Sequence, residues 1–329
     1  MKNTILIKLK FNGPVHFGEP GIGVEKCSYF PRSDTLFSAV CSAWRLRFGI
    51  ASLEELLDAF TKDDEIVKVP PFVLSSGFPF AGGKYFLPYP NKLFNKTIAV
   101  EESSVESTRK KKKKSKFPYV ESAEFNRIIG RTGDSQFEDD HESDLNEHFQ
   151  YVIDPGVAID RLSGQTEIYH RGKVFISETA GVFFLLRFAG NEIREKVIEC
   201  LDCLSHKGLG GERSIGLGSF EFSVSEEDII STPTNPVAYL NLSLYNPSSG
   251  ENQFLDEKHL ISYDFEMRGG WASSPDFPEG KRLAALRFFR EASIFGFEPN
   301  GRLVNVNPNG RHPHPVFKNG MSFSIPTVI

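Results

Sequence analysis

Between Gly208 and Phe222 the chain reads Gly-Leu-Gly-Gly-Glu-Arg-Ser-Ile-Gly-Leu-Gly-Ser-Phe-Glu-Phe. Gly208, Gly210, Gly211, Gly216 and Gly218 lack a Cβ, so the backbone there can take positive φ and come close to a ligand. Successive N–H groups in such a loop form a concavity for an anion, and Arg213 and the Ser214 hydroxyl add donors suited to phosphate. The competing reading is a long helix cap followed by a turn. The pattern has no Gly-Lys-Ser/Thr ending and does not fit G-x-G-x-x-G. A helix precedes it and a strand follows, the reverse of the order that nucleotide sites need. The ligand this favours is a polymeric phosphate backbone lying across the loop.

The elements that must hold the loop are legible on both sides. Val182 to Phe188 is an apolar strand, and Ile193, Val197, Ile198, Leu201 and Leu204 form a helical stripe ended by His206, Lys207 and Gly208. Ser219 to Val224 returns as a strand. At the other end of the chain, Ile5, Ile7, Leu9 and Phe11 alternate as a strand, and a glycine-rich loop follows up to Phe30. Ser33-Asp34 offers a helix N-cap, with Leu36, Phe37, Val40, Ala43, Trp44 and Phe48 at helical spacing. Gly49 closes that helix and Leu53 to Phe60 reads as a short second one. This order suggests an α+β protein whose first domain, residues 1–230, is a ferredoxin-like βαββαβ unit. Residues 88–170 read as its insertion, carrying a basic run (Arg109 to Lys116), an acidic run (Glu138 to Glu147) and a hairpin-like stretch around Ser163-Gly164. After a linker at Pro233–Pro236, residues 236–329 read as a smaller, β-rich second domain, with Leu283 to Phe297 as a strand, although Leu283 to Arg290 also fits a helix. Trp271, after two glycines, reads as core, with an interface role as the alternative.

Composition narrows the class. The chain has 329 residues, 40% of them hydrophobic and 30 of them Phe, enough for two cores with aromatic side chains to spare for stacking. A net charge of −5 and a pI of about 6.0 speak against a freestanding nucleic-acid binder, but not against a subunit with a local basic groove. Cys27, Cys41, Cys200 and Cys203 show no secretory framework. With no signal-peptide pattern and no long apolar run, a cytoplasmic location is expected. Cys200 and Cys203 lie within a helical pattern and read as core thiols, not zinc ligands.

Several stretches together resemble the RAMP superfamily of CRISPR proteins. They are Gly13-Pro-Val-His-Phe-Gly18, Ser33-Asp-Thr-Leu-Phe-Ser38, the lysine run leading to Lys116-Phe-Pro-Tyr-Val120, Asp160-Arg-Leu-Ser-Gly164, Ile168-Tyr169 and the glycine loop. Arg268-Gly-Gly-Trp271, Glu291-Ala-Ser-Ile-Phe295 and His314-Pro-Val-Phe317 follow in order. More narrowly, the chain looks like the subunit-four family of the type III-A (Csm) interference complex. The resemblance implies two RNA-recognition-like (ferredoxin-like) domains, the first with a thumb-like insertion that presses on RNA and displaces a base. It implies a non-catalytic role, needing no metal or cofactor. The chain would hold the crRNA 5′ handle between a large polymerase-like subunit and a repeated backbone subunit. The RNA-binding residues expected are His16, Phe17, Gly18, Ser33, Lys111, Lys113, Arg161, Gly208, Gly210, Gly211, Arg213, Ser214 and Gly216. The acidic run matches nothing in the family pattern.

The alternative within the superfamily is a metal-independent endoribonuclease that processes the crRNA precursor. It would use His16 as general base, helped by Lys26 or Tyr29. Processing enzymes carry the glycine loop near the C-terminus, whereas more than a hundred residues follow it here.

Overall fold

The computed structural model describes residues 3–19, 24–62, 69–90, 118–130, 142–274, 277–307 and 314–329. Lys111, Lys113 and the rest of the basic run lie outside the described residues, as does the start of the acidic run.

Alternation in the first strand is only half of its burial pattern. Ile5, Ile7 and Leu9 are buried, and so is Leu6 on the opposite face, where Lys8 is half-buried and Lys10 exposed, so the second face of this central strand is covered only near its start. The N-terminal part runs β1 (Thr4–Phe11), the two-residue strands β2 (Phe17–Gly18) and β3 (Cys27–Ser28), α1 (Ser33–Asp58), β4 (Phe72–Leu74), β5 (Phe78–Ala81), β6 (Lys84–Pro88) and β7 (Tyr119–Glu121). It continues with α2 (Ser122–Ile129), α3 (Glu142–His148), β8 (Phe149–Ile159), β9 (Thr166–Ile176), β10 (Ala180–Phe188), α4 (Asn191–Lys207) and β11 (Phe220–Ser225). The main sheet has the order β11-β1-β10-β5-β6-β7, with β4 also on β10, and its pairings are antiparallel. α1 packs on α4. Leu36, Phe37, Val40 and Trp44 of α1 and Val197, Cys200, Leu201 and Leu204 of α4 fill the core. Each of the larger apolar side chains contributes about 1.5–3 kcal/mol by leaving water. Gly49 breaks the helical backbone of α1 (φ 87°, ψ 172°), so α1 is two helical segments meeting at a kink, in line with the two helices expected from the sequence. β8 and β9 pair over their full length into a two-stranded arm.

The C-terminal part consists of β12 (Ala238–Asn241), β13 (Leu260–Ser262), β14 (Phe265–Arg268), β15 (Trp271–Ser274), β16 (Phe277–Arg282), β17 (Leu286–Phe289), β18 (Ile294–Phe295), β19 (Leu303–Asn305), β20 (Phe317–Asn319) and β21 (Ser324–Thr327). One sheet has the order β13-β18-β12-β21, and β14-β17, β15-β16 and β19-β20 are separate ribbons. Of the two readings of Leu283–Phe297 the strand holds, but it splits into β17 and β18, with Ala292 at φ 68° between them. Trp271 is 70% exposed and not core. It sits on the β15-β16 ribbon, which pairs with no other strand among the described residues.

One apolar cluster runs from Ile5, Phe37 and Leu185 into Leu240, Leu242, Ile294 and Phe323, so the two parts share a core. A buried set of charges reinforces the junction. Arg32 pairs with Glu266 (2.9 Å) and Glu291 (2.8 Å), and Asp34 pairs with Arg268 (3.0 Å) and Lys318 (3.2 Å). Burial alone would raise the Asp34 carboxyl, but Arg268 and Lys318 overcome it and hold the group well below the usual carboxylate range. The expected cap is therefore not formed. Arg32 is the N-cap residue, in extended conformation, with no side-chain cap. Ser33 Oγ instead accepts Leu244 N–H at 2.9 Å.

Candidate nucleic-acid interface

The glycine loop is shaped by close backbone approach. α4 stops where Gly208 turns to φ 82° and donates its N–H to Leu204 O at 2.8 Å. The loop then folds on itself, with Leu209 N–H on Gly218 O at 2.8 Å. At Gly218 (φ 79°) a Cβ would lie 2.2 Å from Leu209 O, and at Gly210 (φ 101°) it would lie 2.5 Å from His16 O. Gly211 donates to His16 O at 2.8 Å, and Gly218 to Pro14 O at 3.1 Å. The base of the loop is thus seated on residues 14–16. The tip is a 3-10 turn, Arg213–Ile215, flanked by two left-handed residues, Glu212 (φ 56°) and Gly216 (φ 88°). Arg213, Ser214, Ile215 and Gly216 are exposed.

This geometry revises the expected cradle. The N–H groups of Gly208, Gly211 and Gly216 are engaged by Leu204, His16 and Arg213 carbonyls, so these glycines position the loop and do not offer those donors to an anion. The N–H groups of Gly210, Arg213 and Ser214 take no hydrogen-bond partner among the described residues. The donors the loop leaves open are therefore the Arg213 guanidinium, the Ser214 hydroxyl and these amides.

Of the other expected contacts, His16 and Gly18 lie beside the loop. His16 is 5% exposed and donates Nδ1–H to Gly172 O of β9 at 2.7 Å, while its own carbonyl receives Gly211 N–H. It is a strut between loop and arm. Gly18 is exposed and faces the His16 ring, a Cβ there lying 3.6 Å from Nε2. Phe17 is not a stacking platform: it is buried and meets Phe11 edge to face at 6.0 Å. Ser33 is fully buried at the junction of the two parts and is no RNA contact. Arg161 lies at the tip of the arm, between the end of β8 and the start of β9. There Asp160 Oδ1 accepts Leu162 N–H (2.7 Å) and Ser163 N–H (3.0 Å) in a tight turn. The base of the arm is fixed by the Val15–Val174 bridge. Arg161 therefore stands roughly 25 Å out along the strands, at about 3.3 Å per residue, away from the glycine loop.

The register brings in residues the sequence reading missed. Tyr169, Arg171 and Lys173 alternate along β9 and so share one face of the arm. Arg171 Nη1 reaches Glu212 Oε2 of the loop at 3.2 Å, and its guanidinium lies 5.3 Å from the centre of the Tyr169 ring. The alternation in Tyr169–Lys173 was the available signal, but only the three-dimensional pairing shows that this face meets the loop.

The cysteine thiols lie outside this chemistry. Burial, aided by Glu19, pushes Cys27 up to about 11, and burial, aided by Cys203, pushes Cys200 up to about 12. Burial of this kind favours the neutral thiol over the thiolate at both positions. Among the described residues no group of three or more His, Cys, Asp or Glu could hold a metal ion, and no helix is long and apolar enough to cross a membrane.

Comparison with known proteins agrees with this architecture. Residues 234–327 match the family model of the CRISPR Csm4 C-terminal domain. The chain is 27% identical over 278 residues to the CRISPR system Cms protein Csm4 of Thermococcus onnurineus (strain NA1), covering 82% of this chain and 83% of that protein. Among solved structures, a Csm1-Csm4 cassette in complex with cA4 shares the fold with a TM-score of 0.60, at 21% identity and with 99% and 98% of the two chains covered. A Csm3-Csm4 subcomplex of the type III-A CRISPR-Cas interference complex gives a TM-score of 0.59, at 16% identity and with 99% of each chain covered.

Proposed function

We propose that this chain, which belongs to the Csm4 family of type III CRISPR effector subunits, is a non-catalytic RNA-binding subunit that anchors the 5′ handle of the crRNA in antiviral defence. The observation that carries the reading is the glycine loop. Its base is locked onto residues 14–16, and its tip presents Arg213, Ser214 and unengaged amides beside a projecting arm. A preformed tip of this kind grips a phosphate backbone with little ordering cost.

The fold is read in the same terms. The strand order β11-β1-β10-β5, with α1 and α4 as the two crossovers, is the order of a ferredoxin-like unit. Residues 1–230 are then the first domain, the β8-β9 arm is a thumb within its insertion, and residues 236–329 are a second, β-rich domain. The similar Csm4 chains were solved with Csm1 and with Csm3. By extension this chain bridges a large polymerase-like subunit and a backbone subunit. His16 supports the non-catalytic reading. It is the residue a general base would use, and at 5% exposure its ring is shielded from a strand lying on the surface.

Binding of 5′-handle RNA measured across a salt titration tests the proposal. Arg213→Ala is expected to weaken binding and to make the slope of log affinity against log salt shallower by about 1. Unchanged affinity and slope would remove the loop from RNA binding. Repeat-containing RNA incubated with the protein in EDTA is expected to stay intact. Specific cleavage lost in His16→Ala would establish an endoribonuclease instead.

A further inference from the structure

We propose that Arg171 is a second phosphate contact of this interface and that Glu212 is its built-in counter-ion, displaced when RNA arrives; the proposal rests on the RNA-binding reading above. A missing Cβ shapes the arm beside the loop. Gly156 faces Tyr169 across the arm, and a Cβ at Gly156 would come within 2.7 Å of the Tyr169 ring. Glycine therefore lets the ring lie down on the opposite strand. The ring in turn supports the Arg171 guanidinium, 5.3 Å from its centre.

The guanidinium so placed is under-used. Its Nη1 meets Glu212 at 3.2 Å, while its Nε is buried with no hydrogen-bond partner. A planar donor fork with a free Nε suits a two-oxygen acceptor such as phosphate better than one carboxylate oxygen. Glu212 is the residue before Arg213, so Arg171 and the exposed loop tip lie on one continuous path for a strand. Glu212 also sits in the left-handed region at φ 56°, an unfavourable backbone state for a side chain of its kind. Its carboxylate lies where a backbone phosphate would approach Arg171, occupying the cation while RNA is absent. Lys173, two residues on, is likewise neutralised by Asp154 on the same face. In this protein of net charge −5 these two cations of the arm thus stay masked until a polyanion competes for them.

A double-mutant cycle on the full chain, read by anisotropy of fluorescent 5′-handle RNA, tests the proposal. Arg171→Ala should weaken binding by about tenfold or more and reduce the salt slope by about 1, the effect of losing one charged phosphate contact. Glu212→Gln should tighten binding several-fold in the wild-type background and change it little in the Arg171→Ala background, which is a coupling and not a general charge effect. Circular dichroism melting accompanies each variant. Should Arg171→Ala fold poorly, Arg171→Lys takes its place; it should keep the salt slope but lose several-fold in affinity, because a point charge cannot use the fork. Equal tightening by Glu212→Gln in both backgrounds would overturn the counter-ion role. Wild-type binding by Arg171→Ala, with Arg213→Ala weakened, would overturn the contact and leave the glycine loop standing. Absence of handle binding by the wild-type chain would overturn both readings.

Discussion

The two glycines Gly210 and Gly216 allow the seating of the loop to be separated from its conformational strain. Both have positive φ, 101° and 88°. At Gly216 an added Cβ meets nothing within 4 Å, so Gly216→Ala carries only the backbone penalty of about 1–2 kcal/mol. At Gly210 the same methyl lies 2.5 Å from His16 O and 3.2 Å from the Phe17 ring. That carbonyl accepts Gly211 N–H, so relieving the contact also breaks a hydrogen bond with a net contribution of about 1 kcal/mol. Gly210→Ala should therefore destabilise by about 3 kcal/mol, roughly twice the effect at Gly216. It should also weaken handle binding by about tenfold or more, since 1.4 kcal/mol of loop displacement is a factor of ten. Urea unfolding and anisotropy with labelled 5′-handle RNA measure the two effects. If Gly210→Ala and Gly216→Ala prove equal in both assays, the loop is not held by His16 and the reasoning fails.

Two further outcomes follow from the junction and the surface. Asp34→Asn leaves Arg268 and Lys318 buried without their shared counter-charge and should lower stability by about 3–5 kcal/mol. Because the folded Asp34 carboxyl lies below its ordinary value, its contribution is whole above about pH 4. It fades as pH falls toward the folded value, so the gap between wild type and Asp34→Asn should close on acidification; a constant gap would contradict the assignment. Trp271→Ser should change stability by no more than about 0.5 kcal/mol in thermal or urea unfolding, as its side chain is largely in solvent.

What the sequence discloses of this molecule depends on how local the determining physics is. The glycine loop, the helix before it and the strand after it are legible, since spacing and the absence of Cβ atoms are properties of neighbouring residues. The alternation of β1 and the apolar run of β10 are legible for the same reason. Ser33 and Asp34 carry a genuine local cap signal, but Leu244, Arg268 and Lys318, more than two hundred residues away in the chain, engage them first. Phe17 lies in a loop with glycines on either side, yet Phe11 and Phe220 make a core for it that composition cannot reveal. Arg161 could be located on a hairpin but not along it without the full register of β8 and β9. Arg171 escaped notice because its meaning lies in Glu212 and Gly156, which come together only after the arm and the loop have folded.

The central claim is that the loop tip and the adjoining face of the arm grip the handle. Photo-cross-linking of 4-thiouridine-substituted 5′-handle RNA to the protein, with adducts mapped by mass spectrometry, tests it most directly. Adducts concentrated on Gly210–Gly216 and on Tyr169–Lys173 are expected. Adducts confined to the C-terminal ribbons, with the loop unmarked, would contradict it.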